Sequence, residues 1–135
     1  MKGINIPFVD FPDGEKRPVF FGMLGLNKTA TAAGVSLGEV IQSISSLASL
    51  GSDGLFTLEP KTLDLIFQLI HTGLEIGASL SDKDYPYRLD QTAVYVFADV
   101  DFFGEVVSKI AETMPKAKEE GEAKKKTKTR AKAIN

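Results

Sequence analysis

The stretch LDLIFQLIHTGLEIGASL, residues 63–80, is the longest apolar-periodic run in the chain. Ile66, Phe67, Ile70, Leu74 and Ala78 recur at the three-and-four spacing that places side chains on one helix face. Leu65, Leu69 and Ile76 fall elsewhere on the wheel, so the apolar surface wraps most of the way round. Burying each such side chain is worth roughly 1.5–3 kcal/mol, so this helix should gather other elements around itself. Asp64, His71 and Glu75 interrupt the run and leave it too short and too polar to span a membrane. The pattern predicts the central helix of a small, mostly helical soluble domain, begun at Thr57 or Glu59 with Pro60 in its first turn.

Upstream, residues 3–21 read as two short strands around a turn. Asp13-Gly14 is a hairpin dipeptide, because glycine tolerates positive φ and aspartate bonds the backbone locally. Ile4, Ile6 and Phe8 alternate on the first arm, and Val19 to Phe21 supply the second. Pro7, Pro12 and Pro18 each remove a ladder donor, which restricts the arms to a two-stranded ribbon or an edge. Residues 22–33 follow at helical spacing, with Gly34 placed to cap their C-terminus. Ser36-Leu37-Gly38-Glu39 has the form of a capping box flanked by Val35 and Val40 as a hydrophobic staple. Val40, Ile41, Ile44, Leu47 and Ala48 continue as an apolar face, and a turn is expected over residues 51–54.

After the central helix, SDKDYPY at 81–87 is a polar loop that Pro86 keeps from being helical. Asp90 is placed to cap a short helix over 91–97, although Val94 to Phe97 would also suit a strand. A last helix follows Asp99 or Asp101, and Pro115 marks its end. Residues 116–135 contain no apolar side chain larger than alanine before Ile134, so they are expected to be a flexible tail. The sequence thus predicts a mainly α protein. An N-terminal β-hairpin precedes a four- to five-helix bundle over residues 1–115, and a disordered basic C-terminal tail occupies 116–135.

Charge divides at the same point. The tail holds eight Lys/Arg and three Glu, leaving eight basic and 15 acidic residues in the preceding body. An acidic domain therefore carries a basic appendage. Cysteine is absent, which removes disulfide and thiolate chemistry. The N-terminus has no long apolar stretch and no small-residue cleavage site, and the expectation is a cytoplasmic protein.

Catalytic constellations are hard to find. His71, the only histidine, lies within the central helix with no activated serine nearby, and reads as a packing or surface residue. Asp82, Asp84 and Asp90 lack the spacing of a calcium loop and read as loop and cap residues. Gly22 and Gly25 lack the Lys-Ser/Thr of a phosphate-binding loop. No cofactor or metal is expected. Gly73 and Gly77 have GxxxG spacing, which in a soluble chain permits close approach of a neighbour. In the tail, Lys124, Lys125 and Lys126 could neutralise phosphates, making a nucleic-acid-associated accessory protein the alternative function. Against this, the tail has no aromatic residue to stack on bases, and its body is acidic, which counts against nucleic acid as a partner.

The order of elements resembles the tail assembly chaperones of long-tailed, siphovirus-like bacteriophages. Three stretches carry the likeness: FFGMLGL at 20–26 with AAGVSLGEV at 32–40, LDLIFQLIHTGL at 63–74, and FFGEVV at 102–107 leading into a charged C-terminus. Where that family usually carries a Tyr-Ala or Tyr-Gly pair, this chain has His71-Thr72-Gly73. The resemblance implies a non-catalytic chaperone acting in the host cytoplasm during virion morphogenesis. It would guard the tape-measure protein, with the tail tube protein as a further partner, homo-oligomers allowed and no membrane involved. A longer product made by frameshifting within the lysine codons is also implied. The apolar stripe Phe102, Phe103, Val106 and Ile110 is then the expected partner-binding surface, together with Lys124, Lys125 and Lys126.

Overall fold

The computed structural model describes residues 5–48 and 52–115. The chain is mainly helical behind a two-stranded antiparallel hairpin. Strands β1 (Phe8–Asp10) and β2 (Lys16–Pro18) pair with Phe8 opposite Pro18, Val9 opposite Arg17 and Asp10 opposite Lys16. Gly14 N–H donates to Phe11 O at 3.0 Å and Phe11 N–H donates to Glu15 O at 2.9 Å. Gly14 sits at φ +94°, so the Asp-Gly pair closes a three-residue loop in which glycine takes the left-handed position.

The strand phase differs from the expected one. Ile4 lies outside the described residues, Ile6 is half-buried and Phe8 is 43% exposed, whereas Val9 and Phe11 are buried. The core therefore takes the odd-numbered side chains of the first arm, because Phe11 at the turn joins a cluster of aromatic rings. The second strand also ends earlier than expected. Val19 N–H still donates to Pro7 O of the first arm at 2.9 Å, but Phe20 and Phe21 leave the ribbon to cross the central helix, where Phe20 N–H donates to Gly73 O at 3.0 Å.

Helix α1 (Gly22–Ala33) begins beneath the buried ring of Phe21 and stops at Gly34, whose φ of 70° is the left-handed cap conformation. Its Leu26 and Ala30 are buried, but Met23, Leu24 and Ala33 face solvent. Helix α2 (Leu37–Ala48) starts at the capping box read from sequence. Glu39 N–H donates to Ser36 Oγ and Ser36 N–H donates to Glu39 Oε1, each at 3.1 Å. Val40, Ile44 and Leu47 are buried while Ile41 is exposed. Gly51 lies outside the described residues; a 3₁₀ helix (Ser52–Thr57) follows in place of a simple turn.

Helix α3 (Pro60–Leu80) is the centre of the fold. It packs against α1, α2, β2, α4 (Leu89–Phe97) and α5 (Val100–Glu112). Pro60 occupies its first turn, where a missing N–H costs nothing. The wrap-around apolar pattern is met by neighbours on nearly every side, and Leu69, Ile70 and Leu74 are all but inaccessible. Helix α4 starts one residue before Asp90, with Arg88 as the preceding cap residue. Arg88 N–H donates to Gln91 Oε1 at 2.9 Å, and Asp90 Oδ1 accepts from Gln91 N–H at the same distance. In α5, Asp99 accepts from Asp101 N–H at 3.0 Å as a true N-cap.

Candidate functional site

The apolar stripe of α5 belongs to the core. Phe102, Phe103, Val106 and Ile110 are 3%, 8%, 0% and 0% exposed. Phe102 meets Phe11 edge-on at 5.3 Å between ring centroids, and Phe103 meets Phe97 at 4.8 Å. Ile110 covers Gly73 of α3. A stripe of this kind serves intramolecular packing as well as it would serve a partner, and here the hairpin, α3 and α4 consume it. Lys124, Lys125 and Lys126 lie outside the described residues.

Two other places concentrate surface chemistry. The first is a groove of about 660 Å³ between α2 and α3, lined also by the last turn of α1, Val35, residues 58–59 and Leu89. On α2 it is lined by Glu39, Gln42, Ser43, Ser46 and Leu47, and on α3 by a run from Lys61 to Gln68. Those spans correspond to about 10–12 Å of each helix, or roughly two turns. Val35, Leu58 and Phe67 are half-buried in the groove and Leu89 is exposed at its edge, so apolar surface is accessible along it. The banks are polar: Glu39, Gln42, Glu59, Lys61 and Asp64 are exposed. The signal in the sequence was faint, because Leu58 stands alone in a turn and Phe67 is indistinguishable from its buried neighbours.

The second is the hairpin tip. Arg17 pairs with Asp13 at 2.5 Å, with both side chains largely buried. Its guanidinium lies 5.3 Å from the ring centroids of Phe11 and Tyr87 and 5.8 Å from that of Tyr85. Tyr87 donates its hydroxyl proton to Asp13 Oδ2 at 2.7 Å, and Glu15 N–H donates to Asp13 Oδ1 at 3.0 Å. Burial by itself would raise the Asp13 carboxyl, but the hydrogen bonds from Arg17, Tyr87 and Glu15 outweigh it and hold the group below the usual aspartate value. This cluster fastens the hairpin to the 81–88 loop.

Behind it lies a buried polar chain. Thr92 Oγ1 donates to Arg88 O at 3.0 Å and meets His71 Nδ1 at 2.8 Å and the Tyr85 hydroxyl at 2.5 Å. The threonine has one proton for these three contacts, so the donor in the His71 and Tyr85 contacts is set by the histidine tautomer and the hydroxyl orientations. Glu75 lies 3.3 Å from His71 Nε2. His71 is thus a packed residue whose Nδ1 meets Thr92 and whose Nε2 faces Glu75, with no serine hydroxyl among its partners in the described residues.

No group of three or more His, Cys, Asp or Glu side chains among the described residues is arranged to hold a metal ion. No helix among the described residues is long and apolar enough to cross a membrane. No protein-family profile, curated protein or solved structure matches the chain. The functional reading therefore rests on geometry, and among the described residues the groove between α2 and α3 has the shape of a binding site.

Proposed function

We propose that this chain is a non-catalytic binding protein that holds an amphipathic helical segment of a partner in the α2–α3 groove. Its place, on this reading, is in phage tail assembly, with the tape-measure protein as the partner. One observation carries the reading: an apolar trough about two helical turns long, flanked by polar banks, lies between two helices. A volume near 660 Å³ would also hold a small molecule. The lining favours a helix because it follows one face of α2 (Glu39, Gln42, Ser43, Ser46 and Leu47) and runs beside the first two turns of α3 over a matching length. A docked helix would lay its apolar stripe on Val35, Leu58, Phe67 and Leu89 and meet the banks with its polar flanks. A long amphipathic protein awaiting assembly presents many such stripes, and covering them needs no bond-making chemistry.

The test is co-expression of the tagged chain with its cognate tape-measure protein. Leu58→Asp/Leu89→Asp places two carboxylates on the trough, at positions that are half-buried and exposed. Circular dichroism and a thermal melt establish that this variant is folded. Capture of the tape-measure protein should then be lost, while Phe56→Asp, altering a side chain 91% exposed and outside the groove, should leave it intact. Undiminished capture by the folded groove variant would overturn the proposal.

A further inference from the structure

We infer that the groove selects a basic helix, one whose apolar stripe is flanked by Lys or Arg; this rests on the groove being the partner site. Its banks carry three carboxylates, Glu39, Glu59 and Asp64, against the single cation Lys61. Glu39 stands on the α2 side, and on the α3 side Glu59 and Asp64 outnumber Lys61, so both banks are negative. Among the described residues Glu59, Lys61 and Asp64 enter no ion pair. The other bank residues, Gln42, Ser43, Thr62 and Gln68, are uncharged and do not alter the balance. Outside the groove lining, the first 115 residues hold a further 12 acidic and seven basic side chains. The surrounding field therefore draws cations toward the trough and repels acidic chains.

Two other occupants fit less well. A second copy would bring a body of the same negative sign against acidic banks. The chain's own basic segment 116–135 has the right charge but no apolar side chain larger than alanine before Ile134, so it cannot fill the trough. A separate, basic amphipathic helix satisfies both the floor and the banks.

The experiment uses the full-length chain and two labelled helical peptides with the same leucine stripe, one flanked by lysine and the other by glutamate. At low salt the lysine peptide should bind about tenfold or more tightly than the glutamate peptide. The gap should narrow as salt is raised. Glu59→Lys/Asp64→Lys should invert the preference. Equal binding of the two peptides, both abolished by Leu58→Asp/Leu89→Asp, would overturn charge selection and leave the groove reading standing. Peptide binding that ignores Leu58→Asp/Leu89→Asp, or no binding of the lysine peptide, would overturn both. So would two further results. One is a dimer by sedimentation that dissolves on reversing Glu59 and Asp64; the other is a carbodiimide cross-link within one chain from Asp64 to Lys124, Lys125 or Lys126.

Discussion

Gly77 of α3 lies directly beneath the Pro18 peptide: a Cβ there would stand 2.7 Å from the Val19 nitrogen and closer still to the Pro18 carbonyl. One turn earlier, Gly73 accepts a hydrogen bond from Phe20 N–H. The two glycines form the track along which the hairpin's exit strand crosses the central helix.

Alanine at the two positions should consequently behave differently. At Gly77 the obstacle is backbone, which cannot move without shifting the hairpin, and Gly77→Ala should destabilise by about 1–3 kcal/mol. At Gly73 the nearest atoms are the flexible end of Ile110, 3.3 Å from the added methyl. A helical Gly→Ala change gains up to about 1 kcal/mol in propensity, so Gly73→Ala should be close to neutral. Urea midpoints of the two variants check this; equal shifts would mean that the strand does not press on Gly77.

The ion pair at the hairpin tip predicts a pH signature. Arg17 is enclosed by three rings, and Asp13→Asn leaves it without a counter-charge, a loss of roughly 3 kcal/mol at neutral pH. Asp13 is held below its ordinary value of 3.8, so its contribution is fully present above that pH. It is lost as pH falls through the depressed folded-state value. The stability difference between wild type and Asp13→Asn should be flat from neutrality to about pH 4 and shrink below it. Asp10→Asn, which breaks the exposed pair with Lys16, should change stability little at any pH. A difference that persists undiminished in acid would refute the assignment.

Much of this architecture was legible before any coordinates. The wrap-around apolar pattern of 63–80 marked a helix surrounded by neighbours, and the box at Ser36 and Glu39 fixed the start of α2 because both partners are local. The GxxxG spacing announced a close approach but not its partner, since the crossing strand lies more than 50 residues away in the chain. Periodicity misled in α5. It reports that Phe102, Phe103, Val106 and Ile110 share a face, not whether that face meets its own protein or another. The groove was invisible for the converse reason: its floor is assembled from single residues of several elements, none periodic by itself.

Thr29 offers a test of buried polarity. It is fully buried in α1, and its hydroxyl has no hydrogen-bond partner among the described residues. A buried unsatisfied hydroxyl costs about 1–3 kcal/mol. Thr29→Val keeps the shape and branching while removing the polar atom, and should raise stability by about 1 kcal/mol. Thr29→Ala removes the penalty but leaves a cavity, and should gain less. A destabilised valine variant, measured by the same urea midpoints, would show that the hydroxyl is bonded, for example to an ordered water.

The Thr92 junction joins three elements through one oxygen, and it can be read by two spectroscopic signals. If the threonine proton goes to Arg88 O, neutral His71 carries its proton on Nδ1. If it goes to His71 Nδ1, the ring proton sits on Nε2, 3.3 Å from Glu75, and nitrogen-15 NMR distinguishes the two. Burial raises the Tyr85 hydroxyl to about 12, more than the bond to Thr92 lowers it. The folded state thus prefers the protonated phenol, and its contribution is intact below the ordinary value of 10 and lost as pH rises toward 12. Tyrosinate absorbance of the folded chain should contain a late step that Tyr85→Phe removes. Thr92→Val should leave the His71 and Tyr85 polar atoms without their shared partner and destabilise by about 1–3 kcal/mol. A Thr92→Val variant as stable as the wild type would contradict this reading, because the threonine oxygen would then be holding neither side chain.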